Sequence, residues 1–420
     1  MSDSERVGAG VTKSTHMESD GIRAFFSGSQ TYTSVHGDRM LELASSAMLH
    51  RVTHDDGSTT LDSYNDGTWL RVSEDNGATW TDTGEKVRLD TGISEEQLFP
   101  AGFALDVRSD RLVQFFRGQR ADSTCYGYVN QGTYRAFYSV SDDEGRSWSD
   151  PVQVVDGSGE YGEDRWGPEL KYGVRGALPN GSHSVWLEDG SLLLPLTGYE
   201  RLDGTKPWHF RVICARGTWN EDRSAFSWKF GSYFEVGPDK ATSGCCEPSI
   251  TSLGGDRLSM TTRCQGGAPQ GLYSTRYSSA SEDGGMTWSD PEPLLYDDGS
   301  PVWTPASVSA FYDSSKTGKA YWIGNILDGP VHGQVPRYPL NFAEFDPGRR
   351  CLVKASVRLI QDRPEGAHEH VRYTNFGWYE DRRSGDLIIT LSEQYRYKGY
   401  DQMEKLEDKA ADCVKYTVTL

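Results

Sequence analysis

An eight-residue pattern, S-x-D-x-G-x-x-W, recurs three times along the chain. Ser73, Asp75, Gly77 and Trp80 carry the first copy, Ser141, Asp143, Gly145 and Trp148 the second, and Ser281, Asp283, Gly285 and Trp288 the third. The first two copies start 68 residues apart and the third starts 140 residues later, which is two periods with one copy worn away. A worn copy fits at Asn220 to Trp228, and another at Glu344, Asp346, Gly348 and Cys351, where Cys replaces the Trp. Self-similarity at a fixed period implies one supersecondary unit that buries its apolar face only against its neighbours. Within each copy the Asp can accept backbone N–H bonds, the Gly can take a positive φ, and the Trp is expected to be buried under its turn. These roles are structural, so Asp75, Asp143 and Asp283 are not catalytic candidates.

Six hairpins run beside this repeat, each an apolar β-rich run, a turn with Asp or Gly, and a second apolar run, as in TSVHGDRMLELAS and SVWLEDGSLLLPL. The 46 Gly, 22 Tyr and 12 Trp suit short strands and tight turns. A chain of 420 residues holds six periods of about seventy. Many short sheets leave many edges, and closing them into a ring protects those edges. The expectation is an all-β fold, a six-bladed β-propeller over residues 21–420 behind a polar segment 1–20, closed by pairing of residues 415–420 with an N-terminal segment. Seven blades would result if residues before Ser34 or the stretch 150–180 added strands.

A net charge of −18 disfavours nucleic acid and anionic membranes as partners, since both require a basic footprint. A focused arginine pocket can still hold an anion at close range. No run approaches the ~20 apolar residues of a membrane helix. The seven Cys match no zinc or redox spacing. No metal or cofactor is expected, and the chain is expected to be a monomer. The opening MSDSERVGAGVTKST lacks the apolar core of a secretory signal, which fits a cytoplasmic protein or one whose signal has been removed.

The repeats resemble those of the sialidase-like superfamily, the bacterial-neuraminidase or Asp-box propellers, from about residue 25 onward. That superfamily also includes lyases, arabinanases and non-catalytic binders, so function has to come from residues at the channel. Sialidases carry a Glu and, about sixteen residues later, an Arg on an inner hairpin; Glu247 and Arg263 stand 16 apart here. Their nucleophilic Tyr opens the last blade's inner hairpin, where this chain has Tyr373, six before Tyr379 as Glu247 is six before Leu253. Arg337 takes the place of the last carboxylate-binding arginine, a task suited to a planar guanidinium fork. Asp55, in the loop leaving the first hairpin, matches the general acid, with Asp62 as a fallback.

One position departs from the pattern. Counting six back from His36 reaches Gln30, where sialidases place the first arginine of their clamp; Arg23, Arg51 or Arg117 could substitute. His183 lies on the third hairpin and is a second channel-facing candidate.

The resemblance implies an exo-glycosidase acting on a terminal acidic sugar of an oligosaccharide or glycoconjugate. Glu247 would take the proton of Tyr373, Tyr373 would attack the anomeric carbon, Asp55 would protonate the leaving oxygen, and the arginines would hold the carboxylate. The alternative is a polysaccharide lyase in which Arg263 or Arg337 neutralises a uronate while His183 or Tyr373 takes the C5 proton. A propeller that only binds glycans is the third possibility.

Overall fold

The computed structural model describes residues 6–53, 59–86, 89–90, 96–120, 132–201, 208–399 and 402–420. Its strands form six antiparallel sheets arranged as the blades of a propeller. The innermost strands, in blade order, are Ala24–Tyr32, Glu96–Asp106, Gly176–Pro179 continued by Val185–Trp186, Cys245–Ser252, Ala310–Asp313 and Gly377–Glu380. Each of the six hairpins anticipated above is the turn from an inner strand to the second strand of its blade. Neither the segment before Ser34 nor the 150–180 stretch builds a seventh blade among the described residues. The sixth blade draws its outer strands from both chain ends, with Cys413–Val418 paired to Val11–Met17.

The repeated motif forms the turn between the third and fourth strands. In blade 2, Asp143 accepts bonds from the Ser147 backbone N–H at 2.8 Å and the Ser147 hydroxyl at 2.7 Å. The Gly145 N–H donates to Ser141 Oγ at 2.9 Å. The turns at Asp75 and Asp283 repeat this arrangement. Two successive residues take left-handed φ, Glu144 at 61° and Gly145 at 76°. A Cβ on Gly77, Gly145 or Gly285 would run into Tyr379, Leu41 or Leu193 respectively, each on the preceding blade. The glycine therefore serves close docking between blades as well as the turn. Trp80, Trp148 and Trp288 are half-buried, not buried, because each lies over the rim of this junction; Trp148 stacks on Phe103 at 6.1 Å.

The worn copies occupy the same turn in blades 3 and 5, where Asn220 and Asp346 accept backbone N–H bonds. Blade 6 needs no such turn, since two chain ends meet there.

Apolar clusters fill the seams between successive blades, such as Leu41, Leu43 and Leu70 against Phe103 and Leu112. The seam that closes the ring is polar by contrast. Glu42, fully buried, binds Arg71 at 2.6 Å and His16 at 2.6 Å, and Gln30 donates to it at 3.0 Å. Burying a carboxylate is tolerated only with this degree of pairing.

Candidate active site

Inner strands run from the channel mouth to the hairpin turns, so their first residues ring the mouth. In blade 4 the pairing jumps from Cys246 opposite Arg263 to Ser249 opposite Thr261, leaving Glu247 and Pro248 in a bulge. A bulge re-aims a side chain out of the regular alternation, and Pro suits it because no ladder N–H is needed there. Glu247 has φ 49°, a left-handed value that costs a non-glycine residue about 1 kcal/mol or more. Its N–H is held by Thr197 Oγ1 of blade 3 at 3.1 Å.

The Glu247 carboxylate pairs with Arg263 at 2.8 Å, while its Oε2 is buried without a hydrogen-bond partner. Arg276, on the next strand directly opposite Arg263, is fully buried. One of its nitrogens reaches the Ser307 carbonyl, whereas Nε and Nη1 have no hydrogen-bond partner. Arg337 enters from blade 5, with Nε on the Gln334 carbonyl at 3.1 Å and Nη2 on Gln334 Oε1 at 2.9 Å. Arg372 bridges Arg337 through the backbone and lays its guanidinium 4.5 Å from the Tyr395 ring.

Electrostatics tie these residues into one cluster. Burial pushes the Glu247 carboxyl up, but the charge and hydrogen bond of Arg263, with the fields of Arg276 and Arg337, hold it below its ordinary value. Burial drives Arg276 down to about 10, and Glu247 opposes that shift. Arg337 is lowered to about 10 by burial and by repulsion from Arg372 and Arg263. Three cations, Arg263, Arg276 and Arg337, act on the one carboxylate of Glu247, a surplus of positive charge that can attract an anion.

The other candidates are placed as follows. Tyr373 donates its backbone N–H to the Arg337 carbonyl at 3.0 Å, and its ring is fully buried in the apolar cluster between blades 5 and 6. Counted from the last pair before each turn, Ser252–Leu258 and Glu380–Leu387, the residue level with Glu247 is Asn375. Asn375 also has a left-handed φ, 55°. Tyr373 thus enters two residues ahead of Glu247, because Tyr379 is still paired in its strand whereas Leu253 already lies in the turn. His183 sits deeper, in a short 3-10 turn, with Nδ1 3.1 Å from Ser249 Oγ and its ring 4.9 Å from Trp378. Burial lowers it to about 4 against the opposing charge of Glu247.

Gln30 belongs to the polar ring-closing seam, bonded to Glu42 and to Thr390 at 2.7 Å. The first hairpin has a longer turn, last paired at Tyr32–Met40, so the blade 1 residues level with Glu247 are Ser27 and Gly28. No arginine stands there either. Asp55 lies outside the described residues.

Arg276 and Arg372 did not emerge from sequence reasoning. Arg276 could have been found by counting back from the motif Ser281, which pairs with Leu258.

The fold is that of a six-bladed propeller of the sialidase-like superfamily. The chain belongs to the BNR repeat-like domain family, which it matches over residues 100–341. No curated protein matches it in sequence. Among solved structures it is similar to the Hadza microbial sialidase at 11% identity and TM-score 0.56, covering 94% of this chain and 66% of that one. The intramolecular trans-sialidase from Ruminococcus gnavus, solved with oseltamivir carboxylate, is 13% identical with TM-score 0.53, covering 100% of this chain and 98% of that one. An α-L-arabinofuranosidase from Fusarium graminearum, solved with an iminosugar inhibitor, is 12% identical with TM-score 0.51 over 96% and 97% of the two chains. At these identities the likeness is one of fold.

Proposed function

We propose that the protein is an exo-glycosidase that removes a terminal acidic sugar from an oligosaccharide or glycoconjugate. The observation that carries this reading is the convergence of Arg263, Arg276 and Arg337 on Glu247, in a protein whose net charge is −18. Desolvating several guanidiniums together is costly unless an anion repays it.

Arg263 and Arg337 hold the sugar carboxylate, with the buried Arg276 adding its field. Glu247, kept ionised and with Oε2 ready to accept, takes the phenolic proton of Tyr373. The Tyr373 oxygen bonds to the anomeric carbon as the glycosidic C–O bond breaks, and Asp55 supplies the proton to the leaving oxygen. Water then hydrolyses the sugar–tyrosine bond. A neutral nucleophile suits a substrate carboxylate, which would repel an anionic one. The Tyr373 hydroxyl is buried along with its ring, so the mechanism requires that oxygen to become accessible to the sugar.

Elimination with His183 as base is less well served. Burial has lowered that imidazole to about 4, which makes it a weaker base than an ordinary histidine.

The test is Tyr373→Phe, assayed on acidic glycosides that the parent cleaves. Turnover should fall by a factor of about 100 or more with the melting temperature nearly unmoved. Full activity would remove the tyrosine mechanism.

A further inference from the structure

The arginine cluster is built from blades 4 to 6. Facing it across the channel, blades 1 to 3 enclose a recess of about 300 Å³ whose lining includes none of the cluster's residues. In a six-membered ring blade 1 stands opposite blade 4, and Gly28 is level with Glu247. Small side chains create the recess: Gly28, Ser29 and Ser45 of blade 1 and Ala101 of blade 2 line it.

Among the described residues, the one cation on its wall is Arg117, on the second strand of blade 2. Its guanidinium is 5.1 Å from the Phe99 ring and 5.0 Å from the Tyr134 ring, so aromatic faces fix its direction. Its Nε is buried and lacks a hydrogen-bond partner. A permanently charged group with an unmet buried donor favours an anionic acceptor over a neutral one. The charges of Arg117 and Glu247 both act on Tyr199, whose ring meets that of Tyr134 at 5.4 Å.

We propose that this recess takes a second anionic group, a sulfate ester or a second carboxylate, on the sugar whose first carboxylate the arginine cluster holds. Arg117 is then the residue that selects doubly charged sugars. The proposal rests on the acidic-sugar reading above.

Calorimetric titration of the full chain separates the two ideas. The probes are glucuronate and N-acetylneuraminate, a singly sulfated form of each, and glucarate, which carries two carboxylates. A sulfated sugar or glucarate should bind about tenfold more tightly than its singly charged parent, the size of one charge-assisted contact. A gain for the sulfated forms or for glucarate tells which anion the recess accepts.

Arg117→Met should bring that preference to about one. Gly28→Leu should do the same while keeping the charge; Gly28 has no left-handed φ, and an added Cβ meets only the Leu43 carbonyl at 3.7 Å. Melting curves establish that both variants fold. Equal affinity for singly and doubly charged sugars in the parent would overturn the recess proposal alone. So would equal weakening of both classes by Arg117→Met. Binding of none of the probes would overturn the acidic-sugar reading and the recess with it.

Discussion

Asp143 and Glu247 are both carboxylates held below their ordinary values, and they reach that state by opposite routes. Asp143, at the base of blade 2, is lowered to about 2 by the side chain and backbone of Ser147 and the hydroxyl of Ser141, all within four residues of it. Glu247, at the mouth, is pushed up by burial and brought down by arginines 16, 29 and 90 residues further along the chain. The turn at Asp143 is specified wherever its eight residues occur. The Glu247 environment exists only once blades 4 and 5 have packed. Local satisfaction makes the base of each blade a repeatable part, whereas long-range satisfaction lets the mouth be varied without disturbing the scaffold.

The largest expected effect tests the mouth. Glu247→Gln keeps the shape and one acceptor but removes the charge, so kcat on any acidic glycoside the parent cleaves should drop by about 100 to 10,000-fold. Retained turnover would mean that Glu247 serves only as the partner of Arg263.

Next comes the base. Trp148→Ala should cost about 2–3 kcal/mol in urea unfolding, under the full penalty for a core Trp because the side chain is half-buried. Activity per folded molecule should stay at the parent's level. Lost activity at unchanged stability would erase the division between base and mouth.

The smallest effect is in pH. Asp75 and Asp143 are depressed to about 2 from an ordinary 3.8, with hydrogen bonds from Thr79 and Ser147 as the leading causes. A depressed carboxyl contributes stability above its unfolded value and loses it as pH falls through the folded one. Melting temperature should therefore decline between pH 4 and pH 2, the window these two values set. Asp75→Asn with Asp143→Asn should shrink that decline, and an undiminished slope would assign acid sensitivity elsewhere, with buried Glu42 the first candidate.

The chain's own text determined the repeated turns, the six hairpins and the pairing of Glu247 with Arg263, because each is settled by residues within one turn or one hairpin. Glu247 and Arg263 lie on the two strands of a single antiparallel pair, so a spacing of 16 was enough to join them. Tertiary structure decided what crosses from blade to blade. Gln30 was reached by counting from a turn two residues longer than the one in blade 4, and pairing registers, not turn positions, fix which residues share a level. The half-burial of the three tryptophans, the presence of Arg276 and Arg372 beside Arg337, and the recess between Gly28 and Arg117 likewise depend on how neighbouring blades meet. A hydrogen-bonded turn is written in consecutive residues, but the field inside a channel sums charges from strands that only ring closure brings together.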